Sequence, residues 1–202
     1  MTKTLTLMVF LLGTLLCSQA KAGSIDFYNY YIGLQLQGIS LDDQSDQGLD
    51  DSAWTAGVFY KARLKDYFQF AVGVDYFYTE DKAPFEQEVN DKLSDETRSV
   101  SSDVTGLSWY LEAGVQYKFP PEDRWTLGLL AGYRYSNISR GILACSGCED
   151  QELPDFKNAA YLKPFVEYQW TKSVITQLFF TQYVSGDQFE NGLGLQITVW
   201  AM

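Results

Sequence analysis

Three carboxylates, five basic side chains and a pair of cysteines are the groups in this chain whose type and position could carry chemistry. Asp75, Glu112 and Glu167 each occupy the polar register of a segment that alternates apolar and polar residues, and so do Lys61, Arg63, Lys118, Arg134 and Lys163. Two carboxylates held together can share general acid and general base work. Here, however, the positions that carry the acids also carry the bases, so opposite charges on one face are expected to pair as a buried ion network. The chain contains no histidine, which removes the side chain that most often moves protons near neutral pH. Catalysis is not expected, and no residue is assigned to a catalytic role, a cofactor or a metal.

Cys145 and Cys148 stand in a C-S-G-C spacing within a polar stretch. In an exported chain such a pair is expected to form a small loop-closing disulfide. A redox-active pair needs a βαβ setting that is missing around these residues, and a zinc site needs more Cys or His. Export is expected from the N-terminus: Lys3, an apolar run from Leu5 to Leu16, then small and polar residues ending Ala20-Lys21-Ala22. That charged, apolar, cleavable order is a signal peptide over residues 1–22, and the apolar run is shorter than the roughly 20 residues of a membrane-spanning helix. Cys17 lies inside it. Loss of Lys3 and Lys21 takes the net charge from −11 to −13, which argues against a nucleic-acid partner.

The elements that must position the charged groups are strands. After Ala22 the periodicity is two rather than 3.6, in eight segments at about 27–39, 53–65, 67–79, 105–119, 124–137, 159–170, 174–184 and 192–202. One face is apolar along nearly every segment, as in Leu107, Trp109, Leu111, Ala113, Val115 and Tyr117, or Phe68, Phe70, Val72, Val74 and Tyr76. The segment at 174–184 is ambiguous, because Leu178 and Phe180 fall on one face and Phe179 and Tyr183 on the other. The opposite face mixes long polar residues with Gly33, Gly57, Gly73, Gly114, Gly128 and Gly132. Glycine weakens a solvated strand but lets large side chains interdigitate inside a narrow barrel.

The connections alternate between short turns, at Lys65-Asp66, Pro120–Asp123 and Thr171–Ser173, and long polar segments at 40–52, 80–104, 138–158 and 185–191. Aromatic residues gather at both strand ends: Trp54, Tyr76, Tyr78, Trp109, Tyr133 and Tyr135 toward the long loops, and Tyr28, Tyr30, Tyr117, Phe119, Trp125 and Trp170 toward the turns. Two such girdles are expected at the two headgroup levels of a bilayer. Of the 26 acidic residues, 19 lie in the four long segments, so the outer end is expected to be anionic and to recruit divalent cations. The stretch Asp42–Asp51 does not match the EF-hand pattern, lacking glycine at its sixth position. The segment from Glu80 to Val104 is long and charged enough to be expected mobile.

A signal peptide, eight alternating segments, a glycine-dotted polar face and a C-terminal strand running to Met202 together resemble the small outer-membrane barrels of the outer-membrane protein A, X-type and opacity-protein superfamily. The resemblance implies an all-β, eight-stranded antiparallel up-and-down transmembrane barrel over residues 23–202, with short periplasmic turns and long extracellular loops, in the outer membrane of a Gram-negative bacterium. It implies contact with outer-membrane lipid and lipopolysaccharide, through divalent cations at the acidic rim, and insertion by the barrel-assembly machinery. That machinery usually reads a terminal aromatic residue, and here Trp200 stands two places before the end. Barrel enzymes of outer membranes use a histidine base that this chain lacks. The expected protein is a monomeric, non-enzymatic barrel with a structural or surface-interaction role, and the alternative is a narrow passive channel for small or apolar solutes. Thiol-reactive maleimide should label Cys145 and Cys148 only after reduction, read by intact mass; labelling of the unreduced protein would exclude the disulfide.

Overall fold

A computed structural model describes residues 27–42, 49–65, 67–81, 85–91, 94–100, 102–120, 124–142, 151–153, 156–186 and 188–201. The expected signal peptide and the Cys145–Cys148 pair lie outside these. Eight long strands form the wall: β1 (Phe27–Leu41), β2 (Leu49–Leu64), β3 (Phe68–Asp81), β6 (Ser102–Lys118), β7 (Trp125–Ile142), β9 (Asn158–Gln169), β10 (Val174–Tyr183) and β11 (Phe189–Ala201). Each is antiparallel to its neighbours, and the ring closes where β1 meets β11, from Tyr30 opposite Ala201 to Leu41 opposite Phe189. Two short strands, β4 (Phe85–Asp91) and β5 (Ser94–Val100), pair with each other, and β8 (Gln151–Glu152) touches the outer end of β7.

The alternation predicts which side chains point where. Leu34, Leu36, Val58, Val72, Leu111, Val115, Leu129 and Ile197 are all exposed on the outside of the ring, although they are large and apolar. In water so continuous an apolar belt would be a liability; in hydrocarbon it is the matching surface. Among the described residues no helix is long and apolar enough to cross a membrane, and the crossing is made by strands. Trp54, Tyr76, Trp109, Tyr133 and Tyr135 stand out from the long-loop end, and Tyr117, Phe119, Trp125 and Trp170 from the other. Ten residue steps separate Trp109 from Phe119. At about 3.4 Å per step and a tilt of roughly 40° they cross about 26 Å, close to the roughly 25 Å apolar band of such barrels.

Several expectations need correction. The wall strands run beyond the outer girdle, β2 beginning at Leu49 and β7 ending at Ile142, so the outer connections are shorter than the alternation of apolar residues implied. Backbone pairing also stabilises extended chain where polar sequence masks the pattern. Within the segment at 80–104, read from sequence as one long polar connection, lies a regular hairpin, with Phe85 opposite Val100 and Asp91 opposite Ser94. The ambiguous strand β10 sends Leu178 and Phe180 outward and Phe179 and Tyr183 into the lumen. Pro164, which has no N–H to donate, sits where the β9–β10 ladder lapses between Phe165–Phe179 and Leu162–Gln182.

Val72 and Leu111 face each other across β3 and β6, between the girdles. Arginine at either position places a charge in mid-bilayer at a cost of about 2–4 kcal/mol. Val72→Arg and Leu111→Arg should each reduce the heat-modifiable fraction on gels after refolding into lipid, and full recovery of folded protein would reverse the assignment of faces.

Candidate functional site

The lumen holds the charged residues singled out above, in layers that follow the strand registers. On β3 the inward series from the outer end is Thr79, Phe77, Asp75, Gly73; on β9 it is Ala159, Tyr161, Lys163, Phe165, Glu167; on β7 it is Ile138, Ser136, Arg134, Gly132, Leu130. Rings therefore stack on charges, and charges on rings.

The outermost layer is aromatic. Phe77 and Phe156 lie 5.8 Å apart, Phe156 and Phe189 5.5 Å, Phe189 and Tyr183 5.0 Å, and Tyr183 and Tyr161 5.5 Å between ring centroids. These five rings come from β3, β9, β10, β11 and the connection preceding β9, and with Ile39, Val104 and Ile138 they make the main buried apolar cluster. The expected lumen was polar with glycine, and that expectation is incomplete: alternation identifies a face but does not forbid an aromatic residue on it.

Below lies the first charged layer. Arg134 donates to Asp75 at 2.8 Å, and Lys163 donates to Glu112 at 2.8 Å. Gln35 joins the pairs, giving an N–H to Asp75 at 3.1 Å and accepting from Lys163 at 3.3 Å and from Gln196 at 2.6 Å. Tyr161 donates its hydroxyl to Glu112 at 2.7 Å. Next come Leu130, Phe165 and Phe179, with the Lys163 ammonium 4.1 Å from the Phe179 ring centroid. The second charged layer is nearest the short turns, where Glu167 accepts from Lys61 at 3.0 Å and also from Arg63. The Arg63 guanidinium lies 5.0 Å from the Tyr31 ring centroid.

Of the eight residues expected in the ion network, seven are buried and paired in these two layers. Lys118 faces the same way on β6 but remains partly exposed at the short-turn mouth, a rim cation rather than a buried one. The seven carry four positive charges against three negative. Cation–π contact, worth about 2 kcal/mol or more when desolvated, helps to offset that surplus at Lys163 and Arg63.

Glycines make room for the rings. Gly33 stands directly opposite Phe59, Gly73 opposite Tyr110, Gly128 opposite Phe165, Gly132 opposite Tyr161 and Gly194 opposite Phe179. A Cβ at any of the five would overlap the facing ring. Glycine in a strand costs roughly 0.5–1 kcal/mol against alanine, whereas burying an aromatic side chain contributes about 1.5–3 kcal/mol, so the pair gains.

Chemically, the described interior is a layered core of paired charges and apolar rings. Its carboxylates accept from basic, amide and phenolic donors. Among the described residues no group of three or more His, Cys, Asp or Glu side chains could hold a metal ion. At the outer rim Asp51, Glu80, Glu152 and Glu190 are exposed, continuing the anionic character of the connections. Glu167→Gln would leave Lys61 and Arg63 desolvated without a counter-charge, at a cost of about 3–5 kcal/mol. The midpoint of urea unfolding in lipid should fall clearly, and an unchanged midpoint would show that the pair contributes nothing.

The sequence pattern of the outer membrane protein beta-barrel domain matches residues 8–197. Among solved structures, neisserial surface protein A aligns with a TM-score of 0.52 at 16% identity, covering 84% of this chain and 96% of that one. Ail, the attachment invasion locus protein of Yersinia pestis, crystallised with the heparin analogue sucrose octasulfate, aligns with a TM-score of 0.50 at 11% identity, covering 86% and 97%. These likenesses concern the fold. No curated protein matches the chain.

Proposed function

Because this chain belongs to the family of outer membrane protein β-barrel domains, and layers of buried side chains follow one another along its lumen, we propose that it is a non-conducting, non-enzymatic scaffold that works at its outer rim. The observation that carries this reading is the series of seals. Aromatic, ionic, apolar and ionic layers follow one another along the lumen, and an eight-stranded barrel is just wide enough for side chains to fill. A solute would have to break every layer in turn.

What remains for function is the surface. The rim displays carboxylates on extensions of rigid strands, an arrangement suited to gathering divalent cations and sharing them with the phosphates of outer-leaflet lipopolysaccharide. Rigid barrels that present connections in this way commonly bind through them. The sulfated sugar held by the Yersinia barrel suits a basic surface, and this rim has the opposite sign. Envelope cohesion and cation-bridged surface contact therefore fit better than capture of soluble polyanions. Insertion by the barrel-assembly machinery is part of the same proposal.

Planar-bilayer recording tests it. The folded chain, residues 23–202, should be silent, and Arg134→Ala should be silent too, because the aromatic and Glu167 layers still block the path in series. Discrete, reproducible steps from the unaltered barrel would instead make it a narrow passive channel.

A further inference from the structure

The ladder on β7 opens near the outer girdle. β9 pairs with β7 as far as Tyr135 opposite Asn158, and pairing resumes with β8 at Ser139 opposite Glu152. Between these rungs the two edges are held by single bonds, Ser136 N–H to the Lys157 carbonyl at 2.7 Å and Leu153 N–H to the Ile138 carbonyl at 3.0 Å. The chain leaves the sheet here because Leu153 and Phe156 turn inward and are buried, Phe156 to complete the aromatic seal. Irregular rungs of this kind re-aim side chains and are common beside functional sites.

The inward turn leaves a hollow of about 250 Å³ in the split, lined by Tyr135, Asn137, Glu152, Lys157 and β7 backbone, with Leu153 behind. Tyr135 belongs to the outer girdle and Asn137 is the next outward-facing residue beyond it. The hollow is therefore at the depth of lipid headgroups, not on the tips of the connections. Its size is below the roughly 300–1,000 Å³ of sites for whole small ligands, so it suits a fragment of something anchored elsewhere.

The lining chemistry is specific. Lys157 is a point cation suited to phosphate, Asn137 offers both a donor and an acceptor, and Glu152 accepts from hydroxyls. Tyr135 adds an aromatic side chain to the lining. We propose that this hollow binds the phosphorylated sugar of an outer-leaflet glycolipid: phosphate on Lys157, sugar hydroxyls on Asn137 and Glu152, acyl chains along the apolar belt below. Anchoring in the bilayer supplies the effective concentration that so small a contact requires. The site rests on the membrane-surface reading above, but it acts through a cation of the protein and not through bridging metal.

Native mass spectrometry on the full mature chain, released from vesicles of phosphatidylcholine doped with a bisphosphorylated lipid A, its dephosphorylated form or phosphatidylglycerol, separates the possibilities. With EDTA present, one bisphosphorylated lipid A should be retained per barrel, neither of the other two should be, and Lys157→Gln should reduce retention about tenfold while heat-modifiability is unchanged. Asp51→Asn should have no effect in EDTA. Equal retention of phosphatidylglycerol, or loss of bound lipid on adding inorganic phosphate, would overturn the sugar part of the proposal. Retention that vanishes in EDTA and ignores Lys157→Gln would overturn the site while leaving the metal-bridged rim intact. No retention with or without divalent cations would overturn both.

Discussion

Ring closure between β1 and β11 is the constraint on which the rest depends. In hydrocarbon an unpaired strand edge leaves N–H and C=O groups with no partner, so the backbone must return to itself, and the pairing from Tyr30–Ala201 to Leu41–Phe189 does this. Closing at eight strands then sets the width of the interior. An eight-stranded interior is just wide enough for side chains to fill it, and alternating alanine would be too small to do so. The inward face must supply bulk, and the strands supply it with rings set over glycines and with long charged side chains that meet across the lumen.

The choice of charges inside an apolar belt looks costly, since each desolvated ion loses several kcal/mol of hydration. The geometry answers this at close range. Glu167 serves two cations, Gln35 mediates between Asp75 and Lys163, and aromatic faces take up part of the positive surplus. The Arg134–Asp75 and Lys163–Glu112 layer lies between two layers of rings and apolar side chains, a low-dielectric setting that strengthens the pairs it encloses.

At the outer end the demands relax. Strands that have passed the girdle need not be apolar on either side, so β2 and β7 continue as extended chain with polar sequence. The connection before β9 can turn inward to join the aromatic layer at Phe156, and in doing so opens the rung that creates the hollow beside Lys157. Packing the outer end of the lumen and shaping the outer surface are thus two results of one local departure from the sheet.

Fold and orientation were legible because they depend on local rules. A period of two tells in from out, short turns and polar segments tell one end of the barrel from the other, and aromatic clustering marks the interfaces; each is written within a dozen residues. Inward placement of Asp75, Glu112, Glu167 and their cations followed from the same period. The partners did not: Lys61 and Glu167 are 106 residues apart, and which acid meets which base depends on strand registers summed around the whole ring. The inner glycines at 33, 73, 128 and 132 were legible from the same period, but which ring each one faces was not, just as Gly194 and Phe179 become neighbours only when β10 and β11 pair. Phe156 had no periodic signal at all, lying in a connection where no alternation operates. The sequence by itself determined a membrane barrel and its two faces; the tertiary structure decided how the lumen's side chains pair and stack and where the wall opens outward, because those depend on contacts made across the barrel rather than along the chain.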